Sequence, residues 1–179
     1  KARGVKMVWL ETGNDRQTVD IVQPERIGAL VEALHAQGIA VVAWYLPAFK
    51  APNADLRRSL AAIRFRTPSG QAFDGFGLDI ESTAQKSVGL RSQRLVGLSK
   101  RIRAAAGPDY PLAAIVPSPR GMEIKPAYWP GFPWAELPAI YDAIVPMIYS
   151  SYSVKGQDAV YGYVARSIAI IRAQAGPET

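Results

Sequence analysis

Two carboxylates stand at alternate positions at the end of an apolar run, Phe73-Asp74-Gly75-Phe76-Gly77-Leu78-Asp79-Ile80-Glu81. A β-strand turns successive side chains to opposite faces. Phe76, Leu78 and Ile80 then share an apolar face, while Gly75, Gly77, Asp79 and Glu81 share the other. Paired carboxylates suit general acid/base work, because like-charge repulsion keeps a proton on one while its partner ionises. Glu81 is the candidate acid, and Asp79 the partner that keeps it protonated and accepts its hydrogen bond. The purely structural use of the pair would be salt bridges to strand-end arginines.

The spacing resembles the strand-four signature of the family 18 glycoside hydrolases, the chitinase-like barrels, which reads Asp-Gly-x-Asp-x-Asp-x-Glu. Asp74, Gly75, Asp79 and Glu81 match it, and Gly77 stands where the family has another Asp. A second stretch, Val145-Pro146-Met147-Ile148-Tyr149-Ser150, is similar to the family's strand-six Met-x-Tyr-Asp, with Met147 and Tyr149 in place and Ser150 replacing the Asp. The resemblance covers these two motifs and their spacing, and the rest of the chain only in its βα rhythm. It implies a (β/α)8 TIM barrel and a glycosidase, an O-glycosyl hydrolase acting on a polysaccharide or oligosaccharide. Asp79 would turn toward the substrate's acetamido group, and the Tyr149 hydroxyl would bond the acetamido oxygen. The alternative is a non-catalytic carbohydrate-binding barrel, suggested by the acids missing at Gly77 and Ser150. Glu81 speaks against it, since chitinase-like lectins commonly lose that residue.

Other residues extend the candidate site. Glu11 closes an earlier strand on the same face as Met7 and Trp9; it offers a second carboxylate for direct glycoside cleavage, or a hydrogen bond to sugar hydroxyls. Trp44 and Tyr45 end the next strand, one facing the mouth and the other the helices. The connection from Ser118 to Trp134 carries Tyr128, Trp129, Phe132 and Trp134 among prolines. Those rings could form a sugar-stacking platform with Trp129 and Trp134, or pack the loop onto the barrel. Arg120 could bind an anionic substituent or brace the loop. His35, the lone histidine, reads as a helix packing residue, so neither a His-based triad nor a His-rich metal site is expected. No cofactor is expected, and metal ligation by Asp79, Glu81 and Glu11 is the weaker use of those groups.

Positioning these residues requires parallel strands. Apolar runs begin near residues 5, 39, 76, 112 and 143, with helical patterns between them. Their spacing of roughly 30 to 37 residues is that of a βα unit. Pro24-Glu25-Arg26 opens the first helix, Asn53-Ala54-Asp55 can cap the second, Ser92 to Ala106 forms the third, and Asp158 to Ala175 the last, with Val160, Val164, Ile168 and Ile171 as its apolar stripe. Eight such units need about 250 residues, so the chain reads as one barrel domain over residues 1–179, covering strands two to six and incomplete at both ends. The alternative is a complete doubly wound parallel sheet. It would lack the Gly-rich phosphate turn, since Glu11-Thr12-Gly13-Asn14-Asp15 follows the first strand.

Composition supports one core: 179 residues, about half of them hydrophobic (49%), can fill one domain. The net charge of +6 comes from Arg and Lys spread over helical segments. No basic cluster is interleaved with a nucleic-acid motif, so no nucleic-acid partner is expected. The absence of cysteine excludes disulfides and thiolate chemistry and leaves the compartment open. No apolar run reaches membrane-spanning length. The partner expected is a carbohydrate; a signal peptide could precede Lys1, and a glycosidase would fit secretion or the cell envelope.

Overall fold

In a computed structural model, residues 4–149 and 154–176 are described. Ser150, the position that replaces an Asp of the resembled motif, lies outside the described residues. Five strands, β1 (Met7–Asn14), β2 (Ala40–Leu46), β3 (Gly75–Asp79), β4 (Leu112–Pro117) and β5 (Ala143–Met147), alternate with α1 (Pro24–His35), α2 (Pro52–Ile63), α3 (Val88–Ala106), α4 (Pro119–Ile124) and α5 (Gln157–Ala175). Each strand pairs in parallel with the next in the chain, giving one sheet in the order β1-β2-β3-β4-β5. This is an α/β fold with an all-parallel sheet flanked by helices. Among the described residues no helix is long and apolar enough to cross a membrane.

Strand parity divides the sheet into two unlike faces. Val41, Ala43 and Tyr45 of β2, Phe76 and Leu78 of β3, and Leu112, Ala114 and Val116 of β4 join Ile27 and Val31 of α1, Ala62 and Ile63 of α2, Leu95, Leu98 and Ile102 of α3, and Ile171 of α5 in one apolar core. Phe76 and Leu78 are fully buried, and each such side chain contributes roughly 1.5–3 kcal/mol of transfer free energy. The other face carries Trp9, Glu11, Val42, Trp44, Gly77, Asp79, Ala113 and Ile115. Register sets Glu11 beside Trp44, Trp44 beside Gly77, and Gly77 beside Ala113.

One device recurs at the start of alternate strands. Asp74, just before β3, accepts the Val41 N–H at 2.7 Å and contacts His35 Nε2 at 2.9 Å. Asp142, just before β5, accepts the Leu112 N–H at 2.8 Å and pairs with Arg103 at 2.7 Å. In each, a carboxylate uses a backbone N–H of the preceding strand and a nitrogen of a helix side chain, the His35 imidazole or the Arg103 guanidinium, to fix where the new strand enters. His35, expected as a packing residue, is therefore part of a polar clamp completed by Gln71 at 2.7 Å.

Several boundaries differ from expectation. The β3 strand ends at Asp79, not Glu81: the Ile80 N–H still reaches the Ile115 carbonyl at 2.7 Å, but the chain turns there and carries Glu81 off the sheet. The β1 strand runs on to Asn14 through an irregularity between Glu11 and Gly13. Pro52 opens α2, and the expected cap Asp55 is instead buried inside it. Ser87 caps α3, its hydroxyl accepting the Leu90 N–H. The buried stripe of α5 is Tyr163, Ser167 and Ile171, whereas Ile168 is exposed; Ser167 fits the buried face because its hydroxyl is satisfied within the helix by the Tyr163 carbonyl.

Candidate active site

Glu81, the end of β4 at Pro117, the α4 cap Ser118, Gly121 of α4, Met147 at the end of β5, Tyr149 beyond it and Tyr163 of α5 line one cavity of about 270 Å³. Their strand-derived members all lie at C-terminal strand ends. Glu81 is exposed; its backbone carbonyl accepts the Tyr128 hydroxyl. Tyr128 is in turn placed by Arg91 of α3, which donates to its carbonyl at 3.0 Å and stands 4.0 Å from the centre of the Trp129 ring.

Asp79 lies on the sheet face away from the helix core and is only 6% exposed, with Oδ1 unpartnered among the described residues. Burial, then the charges of Glu81 and Glu11, push its carboxyl up to about 7. Glu81 is the carboxyl expected to hold the resting proton; the turn after Asp79 carries Glu81 into solvent and leaves Asp79 in the low-dielectric position, which favours the neutral form of the Asp79 carboxyl. Glu11 accepts from Asn14 Nδ2 at 2.9 Å and faces the same side of the sheet, one strand beyond Trp44. Glu11, Asp79 and Glu81 form no group able to hold a metal ion among the described residues.

Gly77 has a physical reason. A Cβ there would fall 2.8 Å from Trp9 Cζ3 and 2.9 Å from Ile115 Cδ1, so the space belonging to the extra Asp of the resembled signature is already filled. Asp74, the first residue of that signature, lies at the opposite end of β3 from Glu81, in the clamp with His35.

At four candidate contacts the structure selects the packing alternative over the sugar contact. Tyr45 faces the helices: it is buried, donates to Asp55 Oδ1 at 2.8 Å and accepts from Arg58 at 3.3 Å, because its parity is that of Val41 and Ala43. Its neighbour Trp44 takes the other face. Trp129 and Trp134 are buried with Phe132, whose ring lies 5.1 Å from the first and 4.5 Å from the second. The Trp129 indole donates to Ser92 at 2.9 Å, so both tryptophans pack the connection onto α3 and α5 and their edges line a separate cavity of about 350 Å³. Arg120 is paired with Glu123, which also binds Arg166 of α5. Ser118, Gly121 and Tyr163 are not singled out by the sequence, and Tyr128 is expected only as one ring of the aromatic connection. A short helix inside an aromatic loop and a tyrosine outside the expected stripe leave little trace in sequence.

No protein-family model, curated protein or solved structure matches the chain.

Proposed function

We propose that the protein is a glycoside hydrolase in which Asp79 and Glu81 share one proton, and that its sheet is an arc of a (β/α)8 barrel. The sequential strand order, without reversal, and a core drawing on one sheet face support the arc, since a barrel keeps its helices outside and its chemistry at the C-terminal strand ends. The observation that carries the functional reading is the buried carboxyl of Asp79, its Oδ1 unpartnered among the described residues, two residues before Glu81, which itself lines a cavity with Met147 and Tyr149.

In this reading the free protein holds the shared proton on Asp79. A sugar seated in the cavity strips water from Glu81, raising its proton affinity, and the proton passes to Glu81. Glu81 then donates to the glycosidic oxygen as the bond to the anomeric carbon breaks. The Asp79 carboxylate left behind stabilises the developing oxocarbenium charge, and a water then adds to the anomeric carbon and gives its proton to Glu81, which completes the hydrolysis and restores the shared proton. Tyr149 supplies a hydroxyl at the cavity wall. Since the pair loses its proton as pH rises through about 7, turnover should fall on the alkaline side. A panel of labelled oligosaccharides assayed across pH tests this: hydrolysis with such a limb, lost in Asp79→Asn, is the expected result.

A second reading, carbohydrate binding without turnover, is favoured by the packing of Trp9 and Ile115 where the resembled family has a carboxyl. Tight binding with no product release across the same panel would select it.

A further inference from the structure

The Glu81 cavity does not end at Ser118. A second cavity of about 200 Å³ is lined by Pro117, Ser118, Gly121, Met122, Lys125 and Tyr128. Pro117, Ser118 and Gly121 are common to both, so the two meet over this trio. Neither alone reaches the roughly 300–1,000 Å³ of a ligand cleft; a ligand spanning both would occupy one that does. Gly121 keeps the junction open, since a Cβ there would lie 3.2 Å from Ser118 Cβ and 3.4 Å from the Tyr163 hydroxyl. The Tyr128 hydroxyl that bonds the Glu81 carbonyl ties the two compartments together.

Their linings differ. Pro117, Met122 and Tyr128 give the second cavity apolar walls suited to the C–H face of a sugar ring, and Lys125 alone among its described lining residues carries a charge. We infer that this cavity is a second saccharide site, which takes the neighbouring unit of the same glycan, and that the unit it prefers bears a carboxylate met by Lys125. The inference rests on the carbohydrate reading of the Glu81 cavity and adds to it a chain of at least two units with an anionic member.

Lys125 is exposed, so the ion pair is worth no more than a surface one. Calorimetric titrations at low salt, with a neutral tetrasaccharide and its hexuronate-bearing counterpart, test it. Wild type should favour the acidic glycan by roughly two- to fivefold, the scale of an exposed ion pair. Lys125→Gln should remove the preference, and Lys125→Glu should invert it. Equal affinity of wild type for both glycans, or a preference that survives Lys125→Gln, would overturn the second site and leave the Glu81 reading standing. Failure of wild type to bind either glycan would overturn both.

Discussion

The benzo ring of Trp9 occupies the space that a side chain on Gly77 would need, 2.8 Å from where its Cβ would fall, with Ile115 closing the other side at 2.9 Å. Gly77→Ala should therefore destabilise the protein by about 1–3 kcal/mol through overpacking. Combining it with Ile115→Ala should recover part of that loss, giving a coupling energy of roughly 0.5 kcal/mol or more in a urea-denaturation cycle. Additive effects would mean that the face is looser than described.

Asp79 links the site to stability. Its carboxyl is raised from 3.8 to about 7 in the fold, so between those values the native state holds a proton that the unfolded chain has lost. The stabilisation is fully present below the unfolded value and is lost as pH rises through about 7. Asp79→Asn, which never ionises, should melt close to wild type at pH 3, below the unfolded value, and progressively higher than wild type as pH rises to 8. A gain of roughly 2–4 °C corresponds to 1 kcal/mol in a chain of this size. Equal melting temperatures at pH 8 would deny the burial of the charge.

Parity separates Trp44 from Tyr45. Tyr45→Phe removes a partner from buried Asp55 and should cost about 1–3 kcal/mol of stability without changing glycan affinity. Trp44→Ala should weaken glycan binding severalfold. Reversed effects on binding would put β2 out of register by one residue.

The clamp at the start of β3 should also titrate. Burial opposes the charged His35 imidazole, but the hydrogen bonds and charge of Asp74, helped by Gln71, outweigh it and hold the ring above its ordinary value. The clamp's contribution is therefore complete below the unfolded histidine value and fades as pH rises through the folded one. Asp74→Ala should orphan the Val41 N–H at every pH, and its stability cost should be larger at pH 5.5 than at pH 9, read from chemical denaturation. A pH-independent cost would leave only the backbone bond.

Period-two alternation made the two faces of β3 readable, because Phe76 and Leu78 could not share a side with Asp79. The βα rhythm likewise gave the parallel sheet and the helix core at Leu95, Leu98 and Ile102. The end of β3 was hidden: Ile80 continues the apolar alternation and keeps its bond to Ile115, so only backbone geometry reveals that the chain has turned. That turn decides which carboxyl is buried. The aromatics at Trp129 and Trp134 stayed ambiguous for another reason, since composition cannot separate a ring that stacks on a ligand from one that packs a loop. Tyr163 escaped notice because Ser167, bonded within its own helix, let a face with a polar member turn inward.

Proton transfer from Glu81 to a glycosidic oxygen is put to the test by hydrolysis of labelled oligosaccharides by wild type beside Glu81→Gln, with binding followed in parallel. The amide keeps the shape and loses the transferable proton. Turnover should drop by roughly a hundred- to ten-thousand-fold, the scale of general acid catalysis, while glycan affinity stays nearly unchanged. Turnover at the wild-type rate in Glu81→Gln, or glycan binding by wild type with no hydrolysis at any pH, would contradict it.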